Sequence, residues 1–228
     1  MGGYVGRHPA APGLLVGAGC TCLFVAIAAG VITGGPLAHF DRWVADALHA
    51  HASGAPVFTE AIRVVGAPGS TVALALVSVA VAAALLAQRR WSALSAWLAA
   101  VLGGEALNLL LKDLFARPRP RFERPLVVET SYSFPSGQAM ESLVVYGMLA
   151  FFAMLIFNGS GKRVAVAVGA AVLVVLIGFG RAYLGAHYLS DVVGGFAAGG
   201  PWLGAVVAGW EEMRSRDTEG RGGQAGPY

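Results

Sequence analysis

Residues 69–87 read GSTVALALVSVAVAAALLA, a stretch without a single charge that ends at Gln88-Arg89-Arg90. As a helix rising about 1.5 Å per residue, it reaches across the roughly 30 Å hydrocarbon layer of a bilayer. Working outward, five more runs have the same character, at 13–33, 91–111, 137–157, 164–180 and 188–209. The chain as a whole is 56% hydrophobic and 13% charged, with a mean hydropathy of +0.65. A soluble domain carries about 25% charged residues. Periodicity and composition therefore predict an all-α, six-span transmembrane helix bundle.

Two segments fall outside the spans. Residues 37–66 mix His39, Asp41, Arg42, Asp46, His49, His51, Glu60 and Arg63 with apolar residues, a pattern expected of short amphipathic helices at the membrane surface. Residues 211–228 are polar and glycine-rich and read as a disordered tail. The expected division is one membrane-embedded domain over 1–210 and a cytoplasmic tail over 211–228. Arg7 precedes the first apolar run as it would in a signal peptide. That run is longer than a signal h-region, and no A-x-A site follows, so it reads as the first span. Cys20 and Cys22 would point about 200° apart on a helix and cannot bridge each other.

Six spans put both termini on one side. The 16 Lys and Arg divide evenly between the two sides, but the short connectors 88–90 and 158–163 hold bases and no acids. By the positive-inside rule this assigns the termini to the cytoplasm. The interfacial helices then lie on the non-cytoplasmic side of a multi-pass cell (inner) membrane protein. The net charge of +3 is scattered, which argues against a nucleic-acid partner.

Three polar groups meet at that non-cytoplasmic face. Lys112 closes the third span, and Arg117, Arg119, Arg121 and Arg124 follow in a loop stiffened by Pro118, Pro120 and Pro125. Fixed cations suit an oxyanion: Arg119 as a two-pronged fork, Lys112 as a point charge. Pro135-Ser136-Gly137 opens the fourth span, where free N–H groups and the helix dipole attract anions, and Gly137 lets a ligand approach the backbone. Arg181-x5-His187-x3-Asp191 joins the fifth span to the sixth. It puts His187 and Asp191 on one helical face, so that the carboxylate can fix the imidazole tautomer for nucleophilic attack. Each piece alone has a bland reading: a lipid-binding basic loop, an ordinary Ser cap, a satisfied interfacial histidine. The last reading applies to His8, His39, His49 and His51. Topology brings the three pieces together, and the bland readings do not explain that.

With those residues, the chain resembles the type-2 phosphatidic acid phosphatase family, whose signature is K-x6-R-P, P-S-G-H and S-R-x5-H-x3-D. This sequence shows Lys112-x6-Arg119-Pro120, Pro135-Ser136-Gly137-Gln138 and Gly180-Arg181-x5-His187-x3-Asp191. The resemblance spans about residues 100–195. It implies that His187 attacks phosphorus and Asp191 orients it, while Lys112, Arg119, Ser136, Gly137 and Arg181 hold the phosphate. It also implies that no metal or other cofactor takes part. The implied function is hydrolysis of a membrane lipid phosphate through a phosphohistidine. A polyprenyl diphosphate is favoured, with phosphatidic acid and phosphatidylglycerol phosphate as alternatives. The bilayer and the lipid substrate are the expected partners; the oligomeric state stays open.

Two departures qualify the resemblance. Gly180 replaces a Ser. Gln138 stands where the family has the histidine that protonates the leaving group, a contribution worth about 10²–10⁴ in rate. Gln138 is either introduced, natural with a leaving group that needs no proton, or compensated by another acid such as Glu141 or Glu105. Glu105, Asn108 and Lys112 share one face of the third span, where Glu105 is expected to neutralise Lys112 or Arg181 and order the pocket. A phosphotransferase and a non-catalytic lipid or anion transporter remain as rival functions, and a vanadate-dependent oxidase as a remote one.

Overall fold

The computed structural model describes residues 10–222, with side chains from residue 15 to residue 216. Arg7, His8 and residues 223–228 lie outside the described residues. In order come α1 (Ala10–Thr33), α2 (Pro36–Gly54), α3 (Pro56–Gly66), a 3-10 turn (Ala67–Gly69), α4 (Thr71–Ala87), α5 (Trp91–Phe115), α6 (Gly137–Ile156), α7 (Ser160–Tyr183) and α8 (Leu189–Gly222). Among these are 6 stretches long and apolar enough to cross a membrane. No strand occurs among the described residues. The all-α six-span bundle is therefore the observed architecture.

Local chemistry sets the helix ends. Proline opens α2 and α3 at positions where its missing N–H costs nothing. Ser70 caps α4, its hydroxyl accepting from the Ala73 N–H at 3.3 Å. At the end of α5, Ala116 turns left-handed with φ 43°, and its N–H bonds to the Lys112 carbonyl. Pro118 and Pro120 then prevent the helix from resuming.

α6 is the central helix, packed against α5, α7 and α8, while α1 lies along α8 and α2 and α3 brace α7. Val144, Val145 and Met148 of α6 meet Trp97 and Ala100 of α5 and Leu74 of α4 in the main core. Small residues permit the close crossings, as is usual between helices in lipid. A Cβ on Gly103 would stand 2.2 Å from the Trp202 ring, whose indole N–H instead donates to the Ala100 carbonyl at 3.0 Å. Leu76, Val79, Leu102, Leu110, Leu114, Val168 and Val172 are exposed on the outer faces. An apolar surface that extensive marks contact with lipid.

The segment expected to be interfacial forms α2 and α3. α2 buries Asp41, Ala45 and Ala52 on one face. α3 runs through the 3-10 turn into α4, so that residues 56–87 form one stretch of 32 residues. His51 Nδ1 lies 2.9 Å from the Tyr183 hydroxyl, and His49 stacks on Phe122 with ring centroids 3.8 Å apart. These histidines serve packing. The C-terminal segment differs from expectation: α8 does not stop near residue 210 but continues to Gly222. Glu211, Glu212, Met213 and Arg214 favour helix, and Glu212 pairs with Arg216 one turn on at 2.9 Å.

Candidate active site

The site forms where α5 ends, α6 begins and the α7–α8 connector crosses between them. The loop 116–136 folds back on itself, with the Ser133 N–H donating to the Arg117 carbonyl at 2.8 Å. This fold brings the loop's basic residues to the connector that carries His187.

Arg119 is held on several sides. Its Nε donates to the Ser131 carbonyl at 2.7 Å, and Nη2 donates to the Ser131 hydroxyl at 2.9 Å. Nη1 donates to the Ala186 carbonyl at 2.7 Å and stands 3.1 Å from His187 Nε2. Lys112, buried at the end of α5, donates to the Tyr132 carbonyl at 2.6 Å, and Arg119 Nη2 reaches the same oxygen at 3.2 Å. Two of the expected phosphate-binding cations thus converge on one acceptor. Arg181 approaches from α7 and pairs with Glu129 of the loop. Its buried Nε has no hydrogen-bond partner. Glu129 is held below the usual carboxylate range; burial opposes this, but the Arg181 cation outweighs it.

At the start of α6, the Ser136 N–H donates to the Asp191 backbone carbonyl at 2.9 Å. The Ser136 hydroxyl is fully buried, makes no cap bond and has no hydrogen-bond partner. Gly137 leaves room for neighbouring side-chain ends: a Cβ there would stand 2.9 Å from Asn108 Oδ1 and 3.2 Å from Glu141 Oε1. Gln138 is half-buried in the first turn of α6.

His187 is 2% exposed, in the connector between the fifth and sixth spans. Its Nδ1 lies 2.8 Å from the Ser133 carbonyl, an acceptor that requires the proton on Nδ1 and leaves the Nε2 lone pair toward Arg119. Burial, aided by Arg119 and Arg181 and opposed by Asp191, pushes its pKa down to about 4, so the ring is neutral at pH 7.

Two expectations need correction. Asp191 does not bond the imidazole directly: the closest approach of Oδ2 to Nδ1 is 3.7 Å. Its oxygens are already taken by Ser133 Oγ at 2.5 Å, the Tyr188 N–H at 2.8 Å and Arg117 Nη1 at 2.5 Å. Asp191 therefore acts on the ring across the 3.7 Å ion-pair gap and also braces Ser133, whose hydroxyl donates to it and whose carbonyl the ring faces. Nor does Glu105 neutralise Lys112 or Arg181. Seven residues along one helix, or about 10 Å, separate it from Lys112, and its carboxyl meets that of Glu141 on α6 instead.

Sequence reading missed Ser133, Glu129, Asp41 and the particular role of Arg117. Arg117 stood in a visible cluster of arginines. Asp41 looked like one more charge on an amphipathic helix; its spacing from Ala45 and Ala52 on one face was the available signal.

A bundle with this histidine, these cations and this helix end belongs to the PAP2 superfamily, whose family model matches residues 91–214. Among curated proteins, phosphatidylglycerophosphatase B of Bacillus subtilis (strain 168) is 42% identical over 112 residues, covering 48% of this chain and 54% of the relative. The chain thus spans about half the length of that curated relative. Among solved structures, the crystal structure of the first transmembrane PAP2 type phosphatidylglycerolphosphate phosphatase from Bacillus subtilis superimposes with a TM-score of 0.75 at 32% identity, covering 86% of this chain and 96% of that one. The chain is therefore a multi-pass membrane protein of the PAP2 superfamily.

Proposed function

We propose that the chain hydrolyses a membrane lipid phosphate, a polyprenyl diphosphate in preference to a monoester, by way of a phosphohistidine on His187, with no metal taking part. The observation that carries this reading is the state of the His187 ring: Nδ1 is tied to the Ser133 carbonyl while Nε2 faces Arg119 at 3.1 Å. In the first step Nε2 bonds to phosphorus, the bond from phosphorus to the leaving oxygen breaks, and that oxygen departs with its electron pair. In the second, water attacks the phosphohistidine, releasing inorganic phosphate and restoring the ring. Lys112, Arg119 and Arg181, with the Ser136–Gly137 helix end, neutralise the phosphoryl oxygens in both steps. The unpartnered Ser136 hydroxyl and Arg181 Nε supply two further donors. Direct attack by water without a histidine intermediate makes no use of the Nε2 lone pair, which faces Arg119.

The substrate class rests on two features. A cleft of about 490 Å³ adjoins Arg119 and is also lined by Arg42, Arg121, Asp46 and Tyr188, offering more cations than one phosphate needs. Gln138 cannot deliver a proton. A monoester expels a strongly basic alkoxide, whereas a diphosphate expels a lipid monophosphate whose second pKa is about 6. Both features favour a polyprenyl diphosphate over phosphatidic acid. The B. subtilis relatives are named for phosphatidylglycerophosphate, whose terminal phosphate is a monoester and would expel an alkoxide, so that lipid stands with phosphatidic acid in the leaving-group comparison. The site faces the non-cytoplasmic side of the cell membrane, because the short connectors at the other end carry only bases. Cysteine labelling at Glu123 and Ser160 should report opposite sides; labelling from one side would contradict that orientation.

The test of substrate class is phosphate release in detergent micelles from polyprenyl diphosphate, phosphatidylglycerol phosphate and phosphatidic acid, with and without Gln138→His. The expected order puts the diphosphate first, and Gln138→His raises monoester turnover far more than diphosphate turnover. Equal stimulation of every substrate would overturn the leaving-group argument.

A further inference from the structure

Asp41 is a fully buried carboxylate far in sequence from the phosphatase signature, and it lies two bonds from the catalytic centre. Its Oδ2 accepts from Arg117 Nη2 at 2.7 Å, and its Oδ1 accepts from the Ser190 backbone N–H at 3.1 Å. The Ser190 hydroxyl bonds Asp41 Oδ2 as well. On its other branch, Arg117 Nη1 donates to Asp191 Oδ1 at 2.5 Å and to Ser190 Oγ at 2.8 Å. The guanidinium also lies over the Tyr188 ring, 4.4 Å from its centroid. Asp41 and Asp191 are each 0% exposed and Arg117 is 9% exposed. One arginine is therefore shared between two buried carboxylates, one on the surface helix α2 and one on the first turn of α8.

We propose that Asp41 and Arg117 are positioning residues of the reaction, forming a chain Asp41–Arg117–Asp191–Ser133–His187 that holds the nucleophile and answers its charge. The arithmetic of charge favours this role. Asp41, Arg117 and Asp191 sum to one negative charge. When Nε2 of His187 takes a phosphoryl group while Nδ1 keeps its proton, the ring becomes cationic, and the cluster beside it is then balanced. In a simple Arg117–Asp191 pair the carboxylate, 3.7 Å from Nδ1, would still attract the imidazolium, with Arg117 opposing it from behind. Asp41 offsets that opposing charge, and its hold on one Nη group stops Arg117 from folding wholly onto Asp191. The placement also ties α2, which borders the Arg42–Arg121 cleft, to the chemical centre. Arg42, Tyr188, Lys112 and Arg119 also face this cluster, the last two through Asp191.

The inference rests on His187 as nucleophile, and its test separates the two claims. Full-length protein in detergent is assayed for phosphate release from whichever of the three lipids it turns over fastest. Tungstate inhibition is measured in parallel to report the phosphate site alone. Asp41→Asn is expected to lower kcat about tenfold, a mid-range coupling for residues in one network, with KM and tungstate Ki unchanged. Arg117→Gln is expected to lose more, because it strands two buried carboxylates. The double variant Asp41→Asn/Arg117→Gln is expected to be no worse than Arg117→Gln alone, since Asp41 acts through Arg117. Wild-type kcat in Asp41→Asn, a parallel loss of kcat and tungstate affinity, or multiplicative losses in the double variant would each overturn the proposal. If Asp41→Asn does not fold, Asp41→Ser carries the same comparison, because it likewise removes the charge while keeping a hydroxyl toward Arg117 and Ser190. Turnover in His187→Ala would sink the nucleophile reading, whereas an inert His187→Ala beside a fully active Asp41→Asn would sink only the chain of positioning residues.

Discussion

Nη1 of Arg119 lies 3.1 Å from Nε2 of His187, and the same Nη1 is anchored to the Ala186 carbonyl at 2.7 Å. The proposed nucleophilic nitrogen and a proposed phosphate-binding cation are thus set against each other. A phosphoryl group that displaces this contact meets the lone pair on one side and the guanidinium on the other. The fixed loop geometry removes the cost of gathering these groups at the moment of reaction.

Arg119→Gln should therefore lower kcat by about 10²–10³, the cost of losing one preorganised donor to a developing oxyanion. Arg119→Lys should recover only part of it, since an ammonium cannot hold Ser131, Tyr132 and Ala186 together. Steady-state phosphate release checks both. Full recovery by Lys would show that charge alone matters at this position.

The burial of His187 makes a prediction about pH. An ordinary histidine titrates near 6.5, but this ring is pushed down to about 4, by burial first and then by Arg119 and Arg181. Its folded-state pKa is depressed, so the neutral, nucleophilic form persists as pH falls through 6.5 and is lost only near 4. NMR of protein with labelled histidine should show one ring that remains neutral at pH 5.5. A His187 titration midpoint near 6.5 would contradict the buried environment.

Gly137→Ala should destabilise the protein by about 1–3 kcal/mol, the usual cost of overpacking a tight contact. The added methyl would stand 2.9 Å from Asn108 Oδ1. Asn108→Ala in the same chain should restore part of the loss by vacating that space. Thermal unfolding in detergent gives the comparison. Equal melting of Gly137→Ala and the parent would mean that α5 and α6 can part without cost.

The sequence displayed the helices plainly, because a bilayer demands long uncharged runs and leaves little room for ambiguity. It also displayed Lys112, Arg119, His187 and Asp191, whose roles depend on spacing within single helices or short loops. Less visible were contacts made by folding distant segments together. Ser133 contacts His187 through a backbone carbonyl, which any residue possesses, so no side-chain pattern could mark it. Asp41 and Glu129 meet their arginines across 76 and 52 residues respectively, beyond the reach of helical periodicity. Gly137 was legible as a point of close approach, but the neighbour is the side chain of Asn108.

The most direct measurement is to quench turnover with a lipid phosphate substrate in alkali, where phosphohistidine survives, and to map the phosphoryl group by mass spectrometry. The expected result is one phosphoryl group on His187, absent from His187→Ala, which should also release no phosphate. A phosphoryl group on another residue, or sustained phosphate release by His187→Ala, would contradict the proposed mechanism.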